Sequence, residues 1–142
     1  MAQLRRARDE AEVAAALELR EAVFCGEQGV TFAGERDGLD GEALHVVAVE
    51  DGEVVGTCRL LREGDAMRLG RMAVAPAARG RGLGAALLAE AERQAAAAGA
   101  TRVELHAQER ARSLYARGGY EPRGGPFVEE GIPHIAMEKT LA

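Results

Sequence analysis

Apolar residues change their spacing along this chain, and each change marks an element. Leu44–Glu50 and Val54–Arg62 are apolar-rich runs on either side of Asp51-Gly52, a pair that accepts the positive φ angles of a type I′ turn, so they predict a β-hairpin. A second turn at Gly64-Asp65 leads to a third strand, Met67–Ala75, which Pro76 ends. Beyond it the spacing becomes helical: Leu83, Leu87, Ala91, Ala95 and Ala98 fall on one face of a helix over 82–98 that Gly99 stops. Thr101–Ala107 reads as a strand, and Glu109–Arg117 as a short helix closed by Gly118-Gly119. Tyr120 begins a return strand, and Pro133–Leu141 forms the last one.

Upstream, Gln3–Ala7 reads as an opening strand. Asp9, with Glu12 three residues on, gives a capping-box start to a helix. Its apolar positions Val13, Leu17, Val23 and Phe24 run towards Cys25. From Gly26 to Glu42 the pattern dissolves into a glycine- and acid-rich loop, expected to be solvated. The predicted order is β-α-β-β-β-α-β-α-β-β. Hairpins followed by one strand–helix–strand crossover give a single α/β (α+β) domain over 1–142, with a mixed, mostly antiparallel sheet of six to seven strands flanked by helices.

Composition narrows the function classes. The length suits one domain with its own core. No apolar run approaches the roughly 18 residues of a membrane span, and Met1 leads to Arg5, Arg6 and Arg8 without a secretory core, so a cytoplasmic protein is expected. Cys25 and Cys58 make neither a disulfide framework nor a metal spacing, and no metal is expected. A formal net charge of −5 argues against nucleic acid as a partner.

Against that acidic background, no acid occurs between Asp65 and Glu90, where Arg68, Arg71, Arg79 and Arg81 lie. In the same stretch Met72-Ala73-Val74-Ala75-Pro76 runs into Arg79-Gly80-Arg81-Gly82-Leu83-Gly84 and then directly into the alanine-rich helix. A helix start leaves N–H groups without intrahelical partners and carries the positive end of the dipole. Glycines let an anion approach that backbone, so the junction suits phosphate or pyrophosphate.

This segment resembles the acyl-CoA site of the GNAT superfamily of N-acetyltransferases, whose signature Arg/Gln-x-x-Gly-x-Gly/Ala stands here as Arg79 to Gly84, with Val74-Ala75-Pro76 as lead-in. Further on, Gln108-Glu-Arg-Ala111-Arg-Ser-Leu-Tyr115 followed by Gly119-Tyr120 is similar to the family's Asn-x-x-Ala-x-x-x-Tyr helix, with Gln for the common Asn. Leu19-Arg20-x-x-Val23-Phe24-x-x-Glu27-Gln28 and Glu130-Gly131-Ile132-Pro133-His134-x-x-Met137 resemble its small bacterial ElaA-like branch.

The resemblance implies acetyl transfer from acetyl-CoA to a primary amine, most simply of a small molecule, by direct attack in a ternary complex. It assigns the backbone of Met72, Ala73 and Val74 to the pantetheine arm and thioester, and Arg79, Gly80, Arg81, Gly82, Leu83 and Gly84 to the pyrophosphate. Gln108 joins the cofactor set, and Tyr115 touches the cofactor and protonates the departing thiolate. The family's frequent strand glutamate is absent, for the stretch reads Leu69-Gly70-Arg71-Met72. The base is left among Glu27, His45, His106, Glu130 and His134. His106 ranks first because it precedes the Tyr115 helix; Glu27, Glu130 and His134 are expected to line the amine site.

Two other readings compete. Gly80 to Ala85 also fits G-x-G-x-x-A, with Glu104 about 20 residues on, but a dinucleotide fold needs further βαβ units that the short chain after Leu105 does not hold. A non-catalytic acetyl-CoA-binding module is the second. An unpaired edge at the last strands would invite a homodimer.

Overall fold

The computed structural model describes residues 2–141. Seven strands form one sheet: β1 (Gln3–Arg6), β2 (Leu44–Glu50), β3 (Glu53–Glu63), β4 (Ala66–Val74), β5 (Arg102–Gln108), β6 (Glu121–Glu129) and β7 (Ile132–Thr140). Their order across the sheet is β1-β2-β3-β4-β5-β7-β6, and only β4 and β5 run parallel. The antiparallel hairpins and single crossover follow the predicted order, and one parallel pair leaves no doubly wound sheet for a dinucleotide fold.

One face of the sheet is covered by α3 (Leu83–Ala97). Leu87, Ala91 and Ala95 are completely buried and pack with Leu60, Val103 and Leu105 of the strands. Small alanines bring this helix close: a Cβ on Gly56 of β3 would lie 3.0 Å from Leu87 Cδ1. Leu88 shares the buried face, whereas Ala98, read as part of the stripe, lies past the helix end and is exposed. The short α4 (Arg112–Arg117) follows β5.

The other face carries α1 (Glu10–Arg20), which contacts β3, β4 and β2. Asp9 caps it, accepting from Glu12 N at 2.9 Å. Glu12 does not complete the reciprocal box on Asp9; its carboxylate accepts from Arg8 N and from the Arg5 guanidinium, two stronger-placed donors. The helix does not stop near Cys25 but widens into a π-helical segment, Glu21–Glu27. Such wide turns are uncommon and concentrate at functional sites.

The stretch expected to be a solvated loop is instead partly folded inwards. Thr31 caps α2 (Phe32–Glu35), and Glu35 is 2 % exposed. Sequence spacing hid this, because the partner that draws Glu35 in is Arg20, itself 1 % exposed on the sheet-facing side of α1.

Both hairpin turns flanking the open end of the sheet, Asp51-Gly52 and Glu130-Gly131, have positive φ at both positions, as type I′ turns require. At the edge, β6 carries Pro122 and Pro126, and its pairing with β7 breaks register between Arg123 and Phe127. Prolines and bulges of this kind blunt the edge expected to recruit a second copy.

Candidate active site

The site exists because two parallel strands separate. β4 pairs with β5 from Ala66–Arg102 to Leu69–Leu105 and no further, although β4 continues to Val74 and β5 to Gln108. Immediately past the last pair, β4 bulges: Thr57 opposes Ala73 and Arg59 opposes Gly70, so β4 has one residue more than β3 there. Arg71 sits in the bulge with φ of 54°, a strained value for a residue with a side chain. Its guanidinium is thereby aimed at Glu35, with Nε 3.1 Å from Oε2.

A cleft of about 680 Å³ fills the gap. Met72, Ala73 and Val74 lie along one side, with Gln108 and Tyr115 on the other. The end of the π segment supplies Glu27 and Gln28, and the β6–β7 hairpin supplies Glu129, Glu130 and His134. Gln108 Nε2 donates to Gln28 Oε1 at 2.9 Å, tying the end of β5 to the π segment.

At one end stands the glycine turn. Gly80 and Gly82 have φ of 78° and 80°, and a Cβ on either would meet nothing within 4 Å. Gly82 is the N-cap of α3, and no side chain caps that helix. Its first-turn amides therefore face outwards with the dipole and no acid among them. Gly84 has a different duty: its Cβ would touch Leu114 at 3.4 Å, so it packs α3 against α4. Leu83 is buried in the core and can offer only its backbone.

The arginine island separates into different jobs. Arg79 donates through Nε to Val74 O at 3.0 Å and pairs two-pronged with Glu27 at 2.9 and 2.8 Å. This pair holds the Glu27 carboxyl below its ordinary pKa, which makes Glu27 a poor base. Arg81 pairs with Glu50, 3.1 Å away. Arg68 and Arg71 point to the other end of the cleft.

Tyr115 is buried, and the only partner of its hydroxyl among the described residues is the weakly accepting Met72 Sδ at 3.8 Å. Burial pushes its phenol pKa well above the ordinary value, so the proton stays on oxygen at any working pH. Tyr120 packs edge-on against it, ring centroids 6.1 Å apart.

The three histidines separate too. His45 is buried against Asp40 O and does not border the cleft, so it is not positioned as a base. His106 borders it with both ring nitrogens engaged: Nδ1 lies 2.9 Å from Glu129 Oε1, and Arg68 Nη2 approaches Nδ1 and Nε2 at 2.7 and 3.0 Å. His134 Nδ1 donates to Ile132 O at 2.7 Å while Nε2 stands 3.8 Å from Glu129 Oε2. Phe127 lies between these two imidazoles, edge-on to one and stacked on the other.

A network that the sequence did not reveal braces this end. Arg20 bonds Glu35 and Asp40, Arg59 bonds Asp37 and Asp40, and Arg71 bonds Glu35 and Asp37. Glu35, Asp37 and Asp40, read as solvent-facing, are thus neutralised by arginines from α1, β3 and β4. Across the mouth, Glu130 lies against α2 so closely that a Cβ on Gly34 would come 2.6 Å from Oε2. Among the described residues no cluster of His, Cys, Asp and Glu could hold a metal ion. No helix there is long and apolar enough to cross a membrane.

The split parallel pair, the strand bulge and the uncapped helix behind a glycine turn define an acyltransferase architecture. The sequence profile described as "Acetyltransferase (GNAT) domain" matches residues 7–141. The uncharacterized N-acetyltransferase YjcF of Bacillus subtilis is 33% identical over 134 residues, which is 94% of this chain and 96% of YjcF. The acyl-CoA N-acyltransferase structure from Pseudomonas aeruginosa aligns with a TM-score of 0.88 at 32% identity, covering 98% of this chain and 99% of that one. Escherichia coli ElaA aligns with a TM-score of 0.87 at 28% identity, covering 98% and 99%. The chain belongs to the GNAT acetyltransferase family.

Proposed function

We propose that this protein transfers the acetyl group of acetyl-CoA to the primary amine of a small molecule, by direct attack within a ternary complex. The observation that carries the reading is the open gap between β4 and β5, which is lined by Arg79, just ahead of the uncapped start of α3, and by Tyr115. The amides around Gly80, Gly82 and Leu83 suit a pyrophosphate, and the unpaired edge of β4 at Met72–Val74 suits an amide-bearing arm. Acetyl-CoA would supply the activated carbonyl carbon and a thiolate leaving group.

The chain's own groups then divide the proton work. The amine nitrogen attacks the carbonyl carbon, the carbon–sulfur bond breaks, and Tyr115 donates its proton to the leaving sulfur. The high phenol pKa means that this transfer must accompany bond cleavage rather than precede it. His106 takes the proton released by the amine, and Glu129 on Nδ1 steadies the imidazolium. Each positioned proton transfer of this kind is typically worth about 10²–10⁴-fold.

Calorimetry with acetyl-CoA and thiol release across an amine panel test the reading together. Binding with turnover supports it; tight binding without turnover on any amine favours a non-catalytic acetyl-CoA-binding module. Absence of binding by folded protein removes both.

A further inference from the structure

The arginines bordering the acceptor end are not equivalent. Arg59 is paired with Asp37 and Asp40, and Arg71 with Glu35 and Asp37. Arg68 differs. Its nearest carboxylate, Glu63, is 3.5 Å from Nη1, while Nη2 faces the His106 ring and the side chain is 38 % exposed. An arginine is always protonated and only donates. A neutral imidazole has one N–H and one lone pair, both in the ring plane; Glu129 takes the N–H at Nδ1, and Arg68 Nη2, 2.7 Å from Nδ1 and 3.0 Å from Nε2, stands over the ring face. In this arrangement a cation is stacked on the proton acceptor of the reaction, where it repels the imidazolium that proton transfer forms.

Opposite Arg68 the imbalance has the other sign. Glu130 borders the cleft, packs against Gly34, and has no cation or donor partner among the described residues. Arg71 Nη2 reaches Gly34 O at 3.3 Å, and His106 reaches Glu129, so β4, α2 and the β6–β7 hairpin ring the acceptor mouth. That ring presents one under-compensated guanidinium and one uncompensated carboxylate, with the His106–Glu129 pair between them. A plain cation would find Glu130 but leave Arg68 on the base.

Building on the acetyl-transfer reading with His106 as base, we propose that the acceptor is a small amine that also bears an anionic group, carboxylate or phosphate. That group draws Arg68 off the face of the His106 ring and so relieves the repulsion on the imidazolium formed when the amine proton is taken, while Glu130 attracts the ammonium. Arg68 is then a positioning and specificity residue. The acceptor readies its own base, and a plain amine entering alone leaves the guanidinium on the imidazole.

The test uses matched acceptors at saturating acetyl-CoA: β-alanine against propylamine, 4-aminobutyrate against butylamine, and phosphoethanolamine against ethanolamine. Wild type should favour the anionic members; the carboxylate and phosphate arms identify which anion is read. Arg68→Gln should cost the anionic members about ten- to a hundredfold in kcat/KM, as loss of a charged hydrogen bond does. For the plain amines it should raise the rate, because the guanidinium no longer repels the imidazolium, and Arg68→Lys should restore part of the anionic preference. Independently of turnover, the His106 ring resonances of the acetyl-CoA-free protein should shift with β-alanine but not propylamine, and Arg68→Gln should abolish that shift. Equal use of both members by wild type, or an equal loss on both in Arg68→Gln, overturns the inference and leaves acetyl transfer standing. No acetyl-CoA binding, or no turnover with any amine, overturns acetyl transfer and the inference with it.

Discussion

Arg20 and Glu35 meet between α1 and the sheet, Nη2 to Oε2 at 2.7 Å, each side chain 1 % exposed. Neither charge has water to fall back on, so each depends on the other. Glu35→Ala would leave Arg20 with Asp40 as its carboxylate partner and take from Arg71 one of its two acids. A loss of about 3–5 kcal/mol in denaturant-derived stability is expected, the usual cost of breaking a buried pair from one side. Replacing both members by Met and Leu should cost less than the single change, which a double-mutant cycle would read.

Tyr115→Phe removes the hydroxyl proposed to protonate the leaving thiolate. Turnover should fall by about 10²–10⁴-fold while calorimetric acetyl-CoA affinity changes little. Since the only partner of the hydroxyl among the described residues is the Met72 sulfur, stability should barely move. Unchanged turnover would remove Tyr115 from the mechanism.

Gly82→Ala tests the glycine turn. Space is not the obstacle, since nothing lies within 4 Å of the added Cβ; the φ of 80° is. About 1–2 kcal/mol of stability should be lost by thermal unfolding, the price of the left-handed region for an L-residue. Acetyl-CoA affinity should weaken in parallel, because relaxing that φ turns the α3 amides away.

Gly34→Ala places a methyl where the Glu130 carboxylate now lies. The obstructing atoms end a flexible side chain, so Glu130 swings aside and stability should stay within about 0.5 kcal/mol. The acceptor KM should rise while the acetyl-CoA Kd is unaffected, in steady-state kinetics with each substrate varied in turn.

Acid should unfold the protein through its arginine-bound carboxylates. The hydrogen bond from Arg5 brings the Glu12 pKa down to about 2. Arg59 lowers Asp37; at Asp40, burial pulls upward but is outweighed by Arg20 and Arg59. Folded values below unfolded ones give stability that is complete above the ordinary carboxylate range, near pH 4, and lost as pH falls towards about 2. Melting temperature against pH should drop across that window, and Arg59→Gln should flatten the drop.

Much of this architecture was legible because local signals agreed with one another. Asp51-Gly52 fixed the first hairpin, Asp9 the start of α1, and the glycines around Arg81 the start of α3. The Gln108–Tyr115 segment was legible through its resemblance to the GNAT helix. Arg20, Glu35, Asp37 and Arg59 were not, because a buried ion network joins residues distant in sequence whose types alone read as solvent-exposed. The His106–Arg68 contact was equally hidden, spanning 38 positions across two strands. The left-handed Arg71 could not be read at all, since arginine carries no turn signature; only the pairing of β3 with β4 reveals it.

The extra residue in β4 also resets which way its side chains alternate. Before it, Met67 and Leu69 point to the α3 face; after it, Met72 and Val74 do so, and Met72 comes beneath the Tyr115 hydroxyl. Deleting the residue at position 71 would therefore restore plain alternation from Leu69 through Met72 to Val74, but it would remove the bulge and with it the guanidinium that reaches Glu35. One residue more, without a second bulge, would instead turn Met72 away from Tyr115, so homologues that keep the chemistry should conserve the interval between Leu69 and Pro76 more strictly than the side chains within it.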